Sequence, residues 1–281
     1  AARAGDPLGS ALAATVTGSS LWRERDWSTA LDHELDAAAR GHGASQGALR
    51  ILAAGPCGEP DAREDWRHLR SVIDLDSWLS PPAAQIARTK PRIRIIERFA
   101  PPALCDWLIE QVRGRLNRAT IYDRATGGTT IDKRRLNSQC DLGVENMGLL
   151  TFVLRARIAA ITGRPEQAME IPKILHYAPG ETFTEHFDFL DPEEPAYAPE
   201  LAQRGQRAET FLLYLNDDYE GGETHFPDIG FSHRGHVGDA LLFANLDQAG
   251  EPDRDTRHAG LPPTSGEKWL FSQWIRALPP P

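Results

Sequence analysis

From residue 171 to residue 276 the sequence falls into short apolar segments: IPKILHY, TFTEHFDFL, ETFLLYLN, GETHF, ALLFANL and KWLFSQWI. Turn-forming residues separate them. Many short strands punctuated in this way predict a β-sandwich or barrel. The first 90 residues read differently. They are rich in Ala, Leu, Arg and Glu and short of β-branched runs, a composition that predicts helix. Leu31, Leu35 and Ala38 recur at helical spacing behind a candidate cap at Ser28. After a break at Gly41 and Gly43, a second helix carries Ala48, Leu49 and Leu52. Such a helical hairpin resembles one unit of a solenoid, although an array needs about three. Pro81-Pro82 and the KPR segment around Pro91 mark a junction, so we divide the chain into a helical region, 1–90, and a second part, 91–281. In the second part PRIRIIERF predicts a strand. PPALCDWLIEQVRGRL predicts a helix burying Leu104, Leu108, Ile109 and Val112, and MGLLTFVLRARIAAIT another helix. The polar stretch YDRATGGTTIDKRRLNSQ predicts a long surface loop. The expected fold class is α+β, a helical front end followed by a helix-supported β core.

Composition narrows the partners. With 31 basic and 40 acidic side chains the chain carries a net charge of −9, which argues against nucleic acid and against an anionic membrane surface. No apolar run reaches the roughly 18 residues of a membrane span. The opening AARAGDPLGS lacks the pattern of a secretory signal and, without an initiator Met, reads as a trimmed terminus. Cys57, Cys105 and Cys140 are odd in number and widely spaced, so free thiols in a reducing cytoplasm are expected.

The segment TFTEHFDFL places His186 and Asp188 two positions apart, which on a strand turns both side chains to one face. An imidazole and a carboxylate make half of a metal site with open positions, and a second His would complete the facial set of non-haem Fe(II) oxygenases. His258 is the best candidate, because a short proline-rich connection leads from it into the last strand. Lys268 opens that strand ten positions later, on one face with Leu270, Ser272 and Trp274. A buried Lys requires an anion, so Lys268 is either a clamp for a ligand carboxylate or an ammonium reaching out to water at the strand end. His225 is expected on a strand facing away from the metal, and His233 and His236 in a surface loop. Gly221-Gly222 fits a turn between strands and no phosphate-binding loop, and Asp217-Asp218 and Glu193-Glu194 read as solvated charges.

His186-x-Asp188, the distal His258, Lys268 ten residues on and Trp274 six beyond resemble the prolyl-4-hydroxylase branch of the Fe(II)/2-oxoglutarate dioxygenases. HYAPGETFTEHFD, GQRAETFLLYLNDDYEGGETHFP, GHVGDALLF, PRIRIIERFAPPALCDWLIEQV and KRRLNS resemble further segments of that family in the same order, over residues 91–278. The resemblance implies a double-stranded β-helix (jelly-roll, cupin-like) with His186, Asp188 and His258 as iron ligands. It implies that Lys268 and Thr210 bind the distal carboxylate of 2-oxoglutarate, that Tyr177 also contacts this co-substrate and that Trp274 lies near the iron. The implied cofactors are Fe(II), 2-oxoglutarate and O2, with ascorbate as a candidate stimulant and succinate and CO2 as by-products. Because Asp188 is retained where family halogenases lack the carboxylate, the resemblance favours hydroxylation.

The substrate is expected to be a free amino acid, proline- or pipecolate-like, in natural-product biosynthesis. Arg134, Arg135 and Arg207 would take its carboxylate, and Asp191, Glu193 or Glu194 its amine. The alternatives are a peptidyl-prolyl hydroxylase acting on a peptide or protein, and a non-catalytic β-barrel binding module. Oligomeric state is left open.

Overall fold

The structure, a computed structural model, describes residues 6–21, 23–123, 128–130 and 134–278. Five helices lead: Pro7–Gly18, Trp27–Ala39, Gly43–Ala54, Trp66–Val72 and Leu75–Leu79. Their starts are set by side chains that accept otherwise unpaired first-turn N–H groups. Asp6, Asp26, Asp65 and Asp74 do so at four of them and His42 at the fifth. The second helix therefore begins at Trp27 under Asp26, whose carboxylate accepts from Thr29 N at 3.0 Å, and not at the expected cap Ser28. An anion at this position also suits the helix dipole. The chain breaks near Gly41, where φ is 90°. On the second helix Ala30, Leu31, Ala37 and Ala38 are buried together with Glu34, while Leu35 is only half-buried.

From Gln85 onward the chain forms two main antiparallel sheets, besides two small two-stranded ones among the described residues. In spatial order the larger holds Gln85–Thr89, Arg92–Ile96, Ala240–Ala244, Arg207–Tyr214, Lys268–Arg276, Lys173–Tyr177, Ser138–Asp141 and Asn117–Arg118. The smaller holds Phe231–His233, Thr224–Phe226, His258–Gly260 and Phe183–His186. Together they make the double-stranded β-helix, in an α+β chain with a helical N-terminal region.

Period-2 alternation divides each strand between two cores. From Arg207–Tyr214 and Lys268–Arg276, residues Leu212, Tyr214 and Leu270 join Leu175, Phe226 and Phe243 between the sheets. Their neighbours Phe211, Leu213, Phe271 and Ile275 face the other way, onto helices Pro102–Val112 and Val144–Thr162. Ala14, Ala30, Leu52 and Trp78 of the leading helices belong to that same outer cluster. Each fully buried Leu or Phe contributes roughly 1.5–3 kcal/mol, so the inner and outer layers together fix which face of each strand looks into the barrel.

The stretch expected as a surface loop is more ordered where it is described. Ile121–Asp123 pairs with Gly128–Thr130, Ser138–Asp141 joins the large sheet, and Arg135 and Asn137 are buried. Residues 124–127 and 131–133 of that stretch lie outside the described residues.

Candidate metal and co-substrate site

His186 closes the strand Phe183–His186, and His258 opens its neighbour, His258–Gly260; the two stand directly opposite one another in register. Directly paired residues project on the same face, and the two imidazole centroids lie 4.3 Å apart. Asp188 lies just past the strand end and is buried. One donor atom from each of the three falls within 4.8 Å of the others. Nε2 of His186 is 3.6 Å from Asp188 Oδ1, and Nε2 of His258 is 3.6 Å from Oδ2.

The imidazoles are held for coordination. His186 Nδ1 donates to the Thr184 carbonyl at 2.8 Å and His258 Nδ1 to the Thr256 carbonyl at 2.9 Å. Those bonds place the proton on Nδ1 and leave each Nε2 lone pair aimed at the carboxylate. Phe183 stacks on His186 at 3.5 Å between centroids, and Phe243 meets His258 edge-on at 4.9 Å. Burial, together with His258 beside it, lowers the His186 pKa to about 3 and keeps the ring neutral. Burial works against ionised Asp188, but His258, His186, the Thr210 hydroxyl and Arg207 hold its pKa below the usual carboxylate value. Two imidazoles and one carboxylate, with no fourth His, Cys, Asp or Glu grouped with them among the described residues, fit a divalent metal with open positions.

Lys268 is fully buried in the same cavity, opposite Tyr177 in register. Its Nζ donates to the Gly222 carbonyl at 2.6 Å and lies 5.3 Å from the Tyr177 ring and 5.8 Å from the Tyr214 ring. No carboxylate pairs with it among the described residues, and burial drops its pKa to about 7, with Glu223 acting weakly the other way. An ammonium desolvated without a counterion marks a place for an anion. Tyr177 is buried, lines this cavity, and has its hydroxyl pKa pushed up to about 12 by burial.

Thr210 occupies a different place from the one the resemblance implied. Its hydroxyl donates to Asp188 Oδ2 at 2.7 Å and accepts from Asn245 Nδ2 at 2.9 Å. It pairs in register with Trp274, six residues along the strand from Lys268, a span of roughly 20 Å. It therefore cannot share a carboxylate with Lys268. The threonine that lines the cavity with Lys268 is Thr224, tied to the Tyr214 hydroxyl at 3.0 Å. Alternation in GETHF carries the signal for Thr224, since Thr224 and Phe226 are buried and His225 between them bonds the Ser232 hydroxyl on the outer side. Asn245 had no sequence signal of its own.

Trp274 lines the cavity, and the Arg207 guanidinium stacks on it at 3.7 Å. That guanidinium is held in a two-pronged pair with Glu170, at 2.8 and 3.0 Å, and a third nitrogen donates to the Asp188 carbonyl at 3.3 Å. Arg135 also lines the cavity, buried over Phe183, and donates to neutral acceptors: the Thr120 carbonyl at 3.2 Å, Gln139 Oε1 at 2.8 Å and Asn137 Oδ1 at 3.4 Å. Arg134 is exposed, and neither it nor Asp191, Glu193 or Glu194 lines the cavity. His236 is exposed as expected, pairing with Asp217 at 3.3 Å. His233 departs from expectation. It belongs to the edge strand of the smaller sheet, with its ring 5.5 Å from Tyr214 and its Nε2 buried.

Two imidazoles, one carboxylate and a buried unpaired ammonium around a single cavity inside a jelly-roll define the class: a non-haem metal oxygenase that uses an anionic co-substrate. Residues 172–276 match the 2OG-Fe(II) oxygenase superfamily. The chain is 30% identical over 234 residues to prolyl 4-hydroxylase 1 of Arabidopsis thaliana, covering 75% of this chain and 81% of that protein. It is 32% identical over 198 residues to prolyl 4-hydroxylase subunit alpha-1 of Rattus norvegicus, covering 70% of this chain and 36% of the subunit, so it spans about a third of that relative. Among solved structures, the viral collagen prolyl hydroxylase of Paramecium bursaria Chlorella virus-1, as its 2-oxoglutarate complex, is similar in fold. Its TM-score is 0.50 at 24% identity, covering 66% of this chain and 96% of that one. The chain belongs to the prolyl-4-hydroxylase-like branch of the Fe(II)/2-oxoglutarate dioxygenases, and its cofactors are those of a hydroxylase of that branch: Fe(II), 2-oxoglutarate and O2.

Proposed function

We propose that the chain hydroxylates a C–H bond of a prolyl residue carried in a peptide. The observation that carries this reading is the closure of Arg207 on Glu170 beside Trp274. A free amino acid requires an unengaged cation for its carboxylate and an acid at the cavity for its ammonium. Arg207 already has a carboxylate on its fork, and Asp191, Glu193 and Glu194 are not cavity residues. A prolyl residue in a chain asks for neutral contacts, above all an aromatic wall, which Trp274 offers in the cavity lining. Similarity to proteins named prolyl 4-hydroxylases supports the same substrate class.

In this reading His186, Asp188 and His258 hold Fe(II), and Lys268 with Thr224 receives the distal carboxylate of 2-oxoglutarate. Bound there, the metal and co-substrate with O2 supply the oxidation of the C–H bond and leave succinate and CO2. The protein contributes placement. Thr210 fixes the rotation of the Asp188 carboxylate, Trp274 bounds the substrate side, and the apolar side chains Leu175, Leu212 and Leu270 limit water in the cavity.

A free amino acid is the second reading, favoured by Arg135, which is buried in the cavity wall and bonded to neutral acceptors alone. Succinate release separates the two. Proline-containing peptides should stimulate it and give a hydroxylated peptide by mass spectrometry, while free proline and pipecolate should not. Stimulation by the free amino acids alone would reverse the order of the two readings.

A further inference from the structure

Away from the cavity, the hairpin formed by Gln85–Thr89 and Arg92–Ile96 concentrates charge of the opposite sign to the chain as a whole. Between Arg88 and Arg98 there are five basic residues (Arg88, Lys90, Arg92, Arg94 and Arg98) and one acid, Glu97, in a chain of net charge −9. Ile86, Arg88, Arg92, Arg94 and Glu209 line one groove on the large sheet beside this hairpin. Glu209 is its acid, and it is already engaged, with Arg94 at 3.1 Å and Arg164 at 3.8 Å. Arg92 donates to the Leu246 carbonyl at 3.2 Å, and Arg88 approaches the Phe231 ring at 5.9 Å. Neither forms an ion pair with a carboxylate among the described residues, and the charge of Arg92 acts on Glu209 only at longer range.

Gln85–Thr89 is also the terminal strand of the large sheet, so among the described residues nothing pairs with its outer side. Such an edge presents unpaired N–H and C=O groups as a template for another extended chain. The bulge between Ile86 and Arg88 and the flanking Lys90 and Arg88 discourage pairing with a second copy, which would bring cation against cation. They do not discourage an acidic strand. Ile86 is 71% exposed on this edge, an apolar contact that a purely guarded edge would not offer.

We infer that the Gln85–Thr89 edge docks an extended acidic segment of a partner protein, which adds a strand to the large sheet while its carboxylates meet Arg88, Lys90 and Arg92. Backbone pairing along the edge supplies affinity, and the basic groove supplies selection by charge.

The test uses the full chain and a fluorescein-labelled peptide of alternating Glu and Val, about ten residues long. Fluorescence anisotropy should show binding that weakens with salt, with protection of amides 85–89 in hydrogen exchange. Arg88→Glu and Arg92→Glu should each weaken binding about tenfold or more while leaving 2-oxoglutarate turnover unchanged, since neither residue lines the catalytic cavity. A peptide with Pro at alternate positions, which lacks the N–H donors a strand needs, should bind at least about tenfold more weakly. The proposal fails if the Pro-containing peptide binds equally well, because the groove would then be a general anion surface. It fails equally if oligodeoxythymidylate or phosphatidylserine vesicles outcompete the peptide, if the chain self-associates through this edge, or if no peptide binding is detected.

Discussion

The Thr210 hydroxyl donates to Asp188 Oδ2 at 2.7 Å, on the same oxygen that lies 3.6 Å from His258 Nε2. Asn245 Nδ2 donates to Thr210 at 2.9 Å and so leaves the hydroxyl proton to point at the carboxylate. A chain of two hydrogen bonds thus sets the carboxylate rotation before any metal arrives. Thr210→Val keeps the shape and removes the bond. It should weaken metal affinity by roughly 10–100-fold, the usual effect of losing a group that orients a ligand. Thr210→Ser should restore most of the loss. Titration with Mn(II) or Co(II) reads this directly, and a Thr210→Val protein with unchanged affinity would refute the role.

Lys268 gives a proton-linked prediction. Burial lowers its pKa from 10.5 to about 7, so above neutrality the side chain is largely uncharged until an anion enters. Binding 2-oxoglutarate to the Mn(II)-loaded protein should take up close to no protons at pH 6 and approach one at pH 8.5. Calorimetry in buffers of different ionisation enthalpy measures that number. Stability follows the same sign. Between pH 7 and 10.5 the unfolded chain holds the extra proton, so the ligand-free fold gains at most about 1.4 kcal/mol per pH unit as pH rises through that window. Lys268→Met should abolish the gain along with the co-substrate binding. Proton uptake that stays near zero at pH 8.5 would show that Lys268 does not meet the carboxylate.

Glu34 is buried with the Ser45 hydroxyl as its hydrogen-bond partner, and burial raises its pKa from 4.5 to about 7. A carboxyl raised in the folded state favours folding below the unfolded pKa and loses that contribution as pH climbs through the folded one. The window is therefore pH 4.5 to 7, with a span of roughly 3 kcal/mol. Glu34→Gln keeps a partner for Ser45 and removes the titration. Its stability relative to the native chain should be near zero at pH 4.5 and clearly positive at pH 8, as read by urea denaturation at the two pH values. Equal differences at both would mean the carboxyl is solvated.

Glu34 also shows where the sequence stopped being informative. Helical spacing names Leu35 as core, yet the helix turns Glu34 inward and leaves Leu35 half-buried, because the Ser45 hydroxyl makes the carboxyl tolerable there. The barrel was more legible. Period-2 alternation identifies Thr210, Leu212 and Tyr214, and separately Lys268, Leu270, Ser272 and Trp274, as inward positions. Alternation says which face a residue takes but not how far along the strand its partner lies. That is why Thr210 turned up beside Asp188 and not beside Lys268. Arg135 is legible as a candidate for a substrate carboxylate, but its burial is not, because its polar surroundings read as loop; its guanidinium is satisfied by three neutral acceptors and buried over Phe183. His233 sits on a strand of three residues, too short for a periodic pattern to register.

Trp78 is fully buried at the end of the leading helices, and its indole N–H donates to the Leu52 carbonyl at 3.0 Å. Arg157 of helix Val144–Thr162 binds across the same place, donating to the carbonyls of Ser77, Trp78, Ser80 and Phe99. A second tie joins Arg25 to the buried Glu166. With Trp78, Leu52 and Ala30 in one apolar cluster with Phe99, Phe152 and Phe211, no layer of water separates these helices from the large sheet. Residues 7–79 and the oxygenase core should therefore unfold in a single transition. Trp78→Ala should lower the stability of both by about 3–5 kcal/mol, the cost of emptying an aromatic site in a packed core. Far-ultraviolet circular dichroism, dominated by helix, and hydrogen exchange in strand Arg207–Tyr214 should move together. A variant whose helices melt first while the strand amides stay protected would show that the two parts are energetically separate.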